Sequence, residues 1–217
     1  GLDGTLLDLG VSSWQLDQDH RGFGFRAGLL LDMRMSRAEG GPSAAEFLNQ
    51  EPERELARVF RDFGEEPRAR RLAREVSRRR VERPLKTSDD LVAVLTRSLG
   101  RTPSPREVAR VFQALRIAVN QELTILSQAL PRIRDVLKPL GVLVVISYHS
   151  LEDRLVKRSF REWSADCVCP PGLPVCTCGQ VPQGELLFKK PRRPARTETA
   201  RNPRARSAML RAWRKAA

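Results

Sequence analysis

Hydrophobic and polar positions divide the chain into a strand at the start, a helical middle and a second strand followed by a helix. Residues 2–8 form a short apolar stretch that stops at a carboxylate, Asp8, and this pattern predicts a buried strand. The β-branched run at 142–147 is typical of a strand buried on both faces of a parallel sheet. Both strands are followed by polar clusters. We therefore expect the two strands to be neighbours whose carboxyl ends open onto one crevice.

Between these strands the apolar residues recur at helical spacing, and no strand pattern interrupts residues 37–100. Pro131 is expected to kink the last long helix or to begin a second one. After the second strand, Ser150 as N-cap and Asp153 at the third position predict a helix that runs to about Trp163. Pairs of a hydroxyl residue and an acid three positions later mark helix starts in the middle segment: Ser43 with Glu46, Thr87 with Asp90, and Ser104 with Glu107.

The C-terminal part is rich in Pro, Gly and Arg, which predicts loops and an extended basic tail with one short strand near residues 185–190. It also holds the chain's four cysteines, in two C-x-C pairs. Four clustered thiols can form a structural zinc site, but the usual knuckle is C-x-x-C. The alternative is a loop with reduced cysteines, which we favour, so no metal ligand is assigned. The cysteines are Cys167, Cys169, Cys176 and Cys178.

Composition narrows the class of protein. The 217 residues are 41% hydrophobic, which suits one domain, or one domain with an insertion, and excludes a disordered chain. No apolar run reaches the roughly 18 residues of a membrane span, and no signal peptide is visible, so we expect a cytoplasmic protein without membrane contact. The net charge of +13, mostly from arginine, favours a phosphate-rich partner. A solvated basic surface and an arginine-rich genome are the alternative explanations.

Four long blocks carry a resemblance to a known family: "DGTLLDLGVSSWQLD…RGFGF…LDMRM", "FQALRIAVNQEL", "SYHSLEDRLVKR" and "NPRARSAMLR". In this order, and over nearly the whole chain, they resemble the bacterial small-subunit rRNA cytosine-N4 methyltransferases, the RsmH/MraW family. The resemblance implies an α/β, Rossmann-like S-adenosyl-L-methionine-dependent methyltransferase with an inserted all-helical domain. It also implies methylation of the N4 amine of a cytosine in 16S rRNA near the decoding centre, with the 30S subunit as partner.

The resemblance further implies a division of the chain. Residues 1–36 and 101–165 would form the C-terminal half of the methyltransferase domain, 37–100 the substrate-binding insert, and 166–217 a cysteine loop and basic tail. Asp8 and Gln15 match cofactor contacts of the family. The family's glycine-histidine loop and a further acid lie upstream of these blocks and are not in this sequence. We therefore expect Gly1 to be the edge of a longer reading frame, and this chain alone to bind the cofactor weakly or not at all.

The methyl transfer that the resemblance implies depends above all on how the cytosine amine is positioned against the methyl group. The cytosine amine is a poor nucleophile because its lone pair is delocalised, so the protein must orient it and accept its hydrogens. Asp8, Ser12 and Ser13 are candidate acceptors at the crevice. His149 and Ser150 are candidates for contact with the base, which has to be unstacked first, or with its phosphate. His149 is also a candidate catalytic residue, and the alternative is that it caps the next helix or fills a polar pocket.

Further substrate contacts are predicted on the helices and the tail. Arg116 and Asn120 are one turn apart on the long helix, with a surface pair as the alternative. Arg154 is a weaker candidate, and Asn202 and Arg204 belong to the last block. We also expect the arginines of residues 67–80 and the tail at 189–215 to grip rRNA phosphates.

Two other classes of function stay open at this point. One is a non-catalytic module for RNA binding or ribosome assembly, or an inactive fragment that lacks the glycine-rich cofactor loop. The other, more remote, is a DNA or small-molecule methyltransferase. The sequence leaves the oligomeric state open, and a homodimer is one alternative.

Overall fold

The computed structural model describes residues 1–38, 40–167, 169, 175 and 177–217. Within these residues, no helix is long and apolar enough to cross a membrane. Two short 3-10 turns, Asp19–Arg21 and Pro203–Ser207, accompany the main elements. In chain order these are β1 (Leu2–Asp8), α1 (Ser13–Asp17), α2 (Ala44–Gln50), α3 (Glu53–Asp62), α4 (Ala69–Glu82), α5 (Ser88–Leu99), α6 (Pro105–Val119), α7 (Glu122–Val136), β2 (Leu137–Ser147), α8 (Ser150–Trp163), β3 (Gly184–Leu186), α9 (Arg196–Arg201) and β4 (Met209–Lys215).

The chain divides into two compact units, which are described separately. The sheet unit consists of Gly1–Gly10 and Leu123–Ala217, and the helical unit consists of Val11–Glu122. The helical unit is therefore larger than the segment 37–100 that the sequence singles out as an insert. The functional division into a methyltransferase half, an insert and a tail stays a prediction.

The sheet unit contains one mixed sheet with the strand order β1-β2-β4-β3 among the described residues. Strand β1 pairs in parallel with β2, so that Asp8 lies opposite Ile146 near their carboxyl ends. Strand β4 is antiparallel to both β2 and β3. The predicted α/β class is confirmed, and so is the prediction that the two apolar strands are parallel neighbours.

Burial of the first strand differs from the prediction. Leu2 and Leu6 are 48% and 61% exposed, because β1 lies at the edge of the described sheet and only β2 pairs with it. The second strand begins earlier than predicted, at Leu137 rather than at residue 142. Its inward residues, Leu143 and Val145, are almost fully buried, as the apolar run indicates.

The prediction of an extended tail is wrong for residues 209–215, which form the interior strand β4. Trp213 is completely buried, and its ring packs against Phe160 and Trp163 with centroids 6.4 and 5.3 Å away. The basic residues are accommodated by specific partners. Lys215 Nζ, for example, donates hydrogen bonds to the backbone carbonyls of residues 134, 135 and 137 at the end of α7. A basic strand can therefore pack inside this unit.

The helical unit is built as its capping residues predict. The side chains of Ser43, Thr87 and Ser104 each accept a hydrogen bond from the backbone N–H three residues later. Gly100 ends α5 in the left-handed conformation, with φ of 74°. Helices α2 to α6 enclose a single core whose fully buried members include Leu48, Leu56, Phe60, Leu72, Leu91 and Leu115.

The long helix breaks at a different place from the one predicted. Helix α6 ends at Val119, Gln121 has a positive φ of 49°, and Pro131 lies inside α7 instead of starting it. Asn120 caps the end of α6: its backbone N–H still donates to the carbonyl of Arg116 at 3.1 Å, while its side chain bonds to the backbone of Met33 and Met35 outside the helix.

Candidate functional site

The polar clusters after β1 and β2 meet in the sheet unit through one hydrogen bond. The hydroxyl of Tyr148, which directly follows β2, donates to Oδ1 of Asp8 at 3.1 Å. Asp8 is the last residue of β1, and parallel pairing brings both strand ends to the same edge of the sheet. Gly10 then turns the chain with φ of 88°, a conformation that favours glycine. The structure thus places a fixed carboxylate at the edge where parallel sheets bind ligands.

In the hydrogen bond between Tyr148 and Asp8, the phenol is the donor and the carboxylate is the acceptor. Burial raises the pKa of Tyr148 above its ordinary value, and the hydrogen bond to Asp8 and the negative charges of Asp8, Glu198 and Glu152 raise it further. The phenol therefore keeps its proton at neutral pH and donates to the carboxylate. Asp8 is exposed, so its second oxygen, Oδ2, is available to accept hydrogen bonds from a ligand. Sequence reasoning did not single out Tyr148 as a site residue, although it belongs to the polar cluster that directly follows β2.

His149 caps helix α8, so the predicted cap at Ser150 is wrong by one residue. The Nδ1 atom of His149 accepts from the backbone N–H of Glu152 at 3.4 Å, and the Glu152 carboxylate accepts from the backbone N–H groups of Tyr148 and His149. The imidazole Nε2 lies 3.1 Å from Glu152 Oε1, and the side chain is 8% exposed. An imidazole nitrogen can replace a hydroxyl oxygen as the cap acceptor. The geometry favours the helix-capping alternative, and a catalytic role for His149 stays a prediction.

The other predicted residues of the sheet unit lie on its surface. Ser150 is exposed in the first turn of α8, and Asn202 and Arg204 are exposed between α9 and β4. Arg154 projects from α8 into a groove. That groove is lined by Arg154, Lys157, Arg158, Arg161 and Glu162, and an adjoining one by Lys157, Arg161, Leu186, Lys189 and Arg211. We call the two together the α8 basic groove. Its clustered cations are suited to an anionic ligand.

In the helical unit, Ser12 and Gln15 are brought together as a helix cap. The Ser12 side chain accepts from the backbone N–H of Gln15 at 3.2 Å, and Gln15 Oε1 accepts from the backbone N–H of Ser12 at 2.8 Å. Ser13 is the first residue of α1. This capping box orders the segment that follows Gly10. The roles predicted for Ser12, Ser13 and Gln15 toward cofactor and substrate stay predictions.

Arg116 and Asn120 have partners within the helical unit. The Arg116 guanidinium makes two hydrogen bonds of 2.8 Å to the Glu122 carboxylate. Asn120 Oδ1 accepts from the backbone N–H of Met35 at 2.7 Å, and its Nδ2 donates to the carbonyl of Met33 at 2.8 Å. Both side chains therefore stabilise this unit, and their predicted contacts with substrate stay predictions.

The segment that Asn120 holds is strained. Met33 has a left-handed backbone with φ of 61° although it is not a glycine, and it is only 1% exposed. The Arg21 guanidinium fixes the next residues by donating to the carbonyls of Arg34 and Met35 at 2.9 and 2.7 Å. Such strain costs of order 1–3 kcal/mol and is found mainly at functional sites. Sequence reasoning missed Arg21 and Met33, since it used their two segments only as blocks of a resemblance.

The arginines of α4 are of two kinds. Arg80 donates to the carbonyls of Leu48 and Glu51, and Arg79 lies 3.5 Å from Asp90, so these two support the packing of the helical unit. The exposed members are Arg70, Arg71, Arg74 and Arg78, of which Arg78 forms an ion pair with Glu75 at 2.8 Å.

The parallel strand pair, in a mixed sheet packed against helices, defines an α/β protein. The sequence matches the profile of the MraW methylase family over residues 1–216. The chain belongs to this family, which confirms the resemblance found in the sequence.

Three relatives show how far the similarity extends. A "Ribosomal RNA small subunit methyltransferase H" of Gemmatimonas aurantiaca is 54% identical over 99% of this chain and 68% of its own length. Proteins of the same name from Syntrophotalea carbinolica and Heliobacterium modesticaldum are 49% and 47% identical, each over 99% of this chain and 69% of the relative. The similarity therefore includes both the sheet unit and the helical unit.

Proposed function

We propose that this protein transfers a methyl group from S-adenosyl-L-methionine to small-subunit rRNA, at the N4 amine of a cytosine near the decoding centre. The observation that carries the proposal is the Asp8–Tyr148 pair at the carboxyl edge of two parallel strands, in a chain of the MraW methylase family. The relatives' name supplies the substrate class, and the resemblance supplies the base and the atom.

Two of the residues present, Asp8 and Gln15, fit the cofactor, while the glycine-histidine loop that the resemblance implies lies outside this sequence. The cofactor's chemical contribution is an electrophilic methyl group on a sulfonium. The Asp8 carboxylate is exposed and fixed by Tyr148, so it can accept hydrogen bonds from hydroxyl or amine donors of the cofactor. Gln15 is the second proposed contact. Its side-chain nitrogen is a donor that the capping bond through Oε1 does not use.

The substrate amine needs an acceptor and a fixed direction of approach. Ser12 and Ser13 offer hydroxyl oxygens, and Asp8 a carboxylate, so these three are the proposed acceptors for the hydrogens of the cytosine amine. A hydrogen-bond acceptor on the amine also increases the electron density on the nitrogen as the amine loses its proton. Most of the acceleration comes from holding the nitrogen in line with the methyl carbon, because this transfer needs no covalent intermediate.

The α8 basic groove is the proposed contact for the rRNA backbone. Arginine and lysine side chains bind phosphates without reading the base, so they would position the RNA in the site. The exposed α4 arginines, Asn202 and Arg204 are proposed as further contacts. The 30S subunit is the proposed partner because its rRNA carries the target cytosine.

The test is methyl transfer from labelled cofactor to 30S subunits or 16S rRNA by the chain extended upstream to include the family's glycine-histidine loop, followed by nucleoside analysis for N4-methylcytidine. Asp8→Asn should abolish transfer while the circular dichroism spectrum is unchanged. Asp3→Asn is the matched control, because Asp3 is on the same strand and its exposed side chain pairs with Lys138 at the surface. The control should methylate at the parent rate.

Two outcomes would contradict the proposal. Methylation at another atom would disprove the assignment to cytosine N4. Tight RNA binding by the parent protein without any methyl transfer would favour the alternative, a non-catalytic RNA-binding or assembly module.

A further inference from the structure

Three cysteines after helix α8 approach one another closely. The Sγ atoms of Cys167, Cys169 and Cys178 all lie within 4.8 Å of each other, and those of Cys167 and Cys178 are 3.9 Å apart. Among the described cysteines, none forms a disulfide. A disulfide requires a sulfur–sulfur distance of about 2.05 Å, so these three thiols converge without a disulfide between them.

The spacing is that of thiolates around a tetrahedral metal ion. Zinc–sulfur bonds of about 2.3 Å at tetrahedral angles place two sulfurs about 3.8 Å apart. The separation of Cys167 and Cys178, at 3.9 Å, matches this value. Thiolate clusters of this kind select soft or borderline ions such as zinc over magnesium or calcium.

The local backbone is arranged to stabilise negative sulfur. The backbone N–H of Cys169 donates to Cys167 Sγ at 3.4 Å, and the backbone N–H of Thr177 donates to Cys169. Backbone N–H groups directed at ligand sulfurs are the usual outer shell of a thiolate metal site. The thiols are contributed by both C-x-C pairs of the sequence.

We propose that Cys167, Cys169 and Cys178 bind a structural zinc ion. The ion would tie the chain just after α8 to the chain that leads into β3. Gln183, five residues beyond Cys178, already donates its backbone N–H to the carbonyl of Trp163 at 2.8 Å, which anchors the end of this segment. The fourth thiol of the sequence, Cys176, lies outside the described residues. The site goes beyond the proposed methyl transfer and does not depend on it.

The experiment measures metal content and thiol ligation in protein purified without a polyhistidine tag and without chelator. Zinc is quantified by inductively coupled plasma mass spectrometry, and cobalt(II) exchange is followed by absorbance, since thiolate-to-cobalt charge-transfer bands report sulfur ligands. The variants are Cys167→Ser, Cys169→Ser and Cys178→Ser. Val175→Ser is the matched control, because it introduces the same residue at an exposed position of the same segment.

We expect about one zinc per chain in the parent and in Val175→Ser, and at least a tenfold loss of zinc affinity in each cysteine variant. Cobalt bands should appear in the parent and weaken in the variants. A parent protein without bound zinc and without cobalt bands would overturn the proposal, and so would a Cys167→Ser variant that keeps its zinc.

A second measurement needs no variant and therefore does not depend on how the variants fold. Alkylation of the parent thiols is timed with zinc present and after chelation, while circular dichroism monitors the fold. Bound zinc should slow alkylation strongly, because ligand sulfurs are shielded and less nucleophilic. Equal rates in the two conditions would show that the cluster holds no metal.

Discussion

Arg211 of β4 and Asp153 of α8 form a bidentate ion pair, with guanidinium-to-carboxylate distances of 2.7 and 2.9 Å. Their side chains are only 7% and 15% exposed. The pair connects a helix to an interior strand that lies 58 residues further along the chain. A residue that the sequence assigns to an extended basic tail therefore helps to fix the sheet unit.

Asp153→Asn should lower the free energy of unfolding by about 3 kcal/mol, because it leaves the charge of Arg211 shielded from water without a partner. Asp3→Asn is the control, since Asp3 and Lys138 are 88% and 51% exposed. Loss of this surface ion pair should lower the free energy of unfolding by less than about 1 kcal/mol. Urea denaturation followed by circular dichroism measures both values. Similar losses for the two variants would show that burial of the Arg211 pair does not matter.

Tyr148 is the single tyrosine of the chain, so the absorbance of tyrosinate reports this residue alone. Its pKa should lie above the ordinary value of 10.0, first because of burial and then because of the Asp8 hydrogen bond and charge. Asp8→Asn should lower the pKa without returning it fully to 10.0, because burial remains. Since folding raises this pKa, the stability it contributes is complete below pH 10 and is lost as the pH rises through the folded pKa.

The control for this titration is Glu198→Gln, which removes a weaker, purely electrostatic contribution to the same pKa. It should lower the tyrosine pKa less than Asp8→Asn does. A Tyr148 pKa that is the same in the parent and in Asp8→Asn would contradict the hydrogen bond.

The predictable part of this fold depends on local signals. Residues 2–8 and 142–147 could be recognised as adjacent parallel strands because each is a short apolar run that ends in polar residues. The caps at Ser43, Thr87 and Ser104 were predictable because a hydroxyl and an acid three residues apart bond to each other's backbone.

The missed part depends on partners that are distant in sequence. The sequence predicts a basic tail where strand β4 lies, because the charge of this segment suggests exposure to solvent. The group that neutralises Arg211, the Asp153 carboxylate, lies 58 residues away in the sequence. Tyr148 and Asp8 are 140 residues apart, and Asn120 reaches Met33 across 87. The cap at His149 was misplaced by one residue because serine is the commoner acceptor there.

Asn120→Ala should destabilise the helical unit by about 1–3 kcal/mol, because it leaves the backbone groups of Met33 and Met35 without their partner. Thermal and urea unfolding measure the change. Asn202→Ala is the matched control, since Asn202 is exposed, and it should change stability little. Wild-type stability in Asn120→Ala would mean that these hydrogen bonds do not support the left-handed turn at Met33.

Glu107 should make the stability of helix α6 depend on pH in the acid range. The hydrogen bond from Arg101, together with those from the backbone and side chain of Ser104, lowers the pKa of Glu107 from 4.5 to about 2. A lowered folded pKa stabilises the protein above pH 4.5, and this contribution is lost as the pH falls toward about 2. Glu107→Gln should melt earlier than the parent at neutral pH, and the difference in melting temperature should vanish near pH 2. A constant difference from pH 7 to pH 2 would contradict this assignment.

The α8 basic groove should account for part of the salt dependence of RNA binding. Deleting residues 189–217 would remove the interior strand β4 from the sheet, so charge substitutions are the appropriate test. Each phosphate contact contributes about 0.7–0.9 to the slope of log affinity against log salt. Replacing Lys157, Arg158 and Arg161 by glutamine should therefore flatten the slope by about 2–3.

The control replaces three cations that pair with carboxylates at the surface, Arg58, Arg61 and Lys138, so that the net charge changes equally. Affinity for 16S rRNA is measured across a potassium chloride series for both triple variants. The groove variant should keep the same preference among RNA sequences, because phosphate contacts carry little information about the base. If both triple variants flatten the slope equally, the effect is due to overall charge and the α8 groove is not a specific phosphate contact.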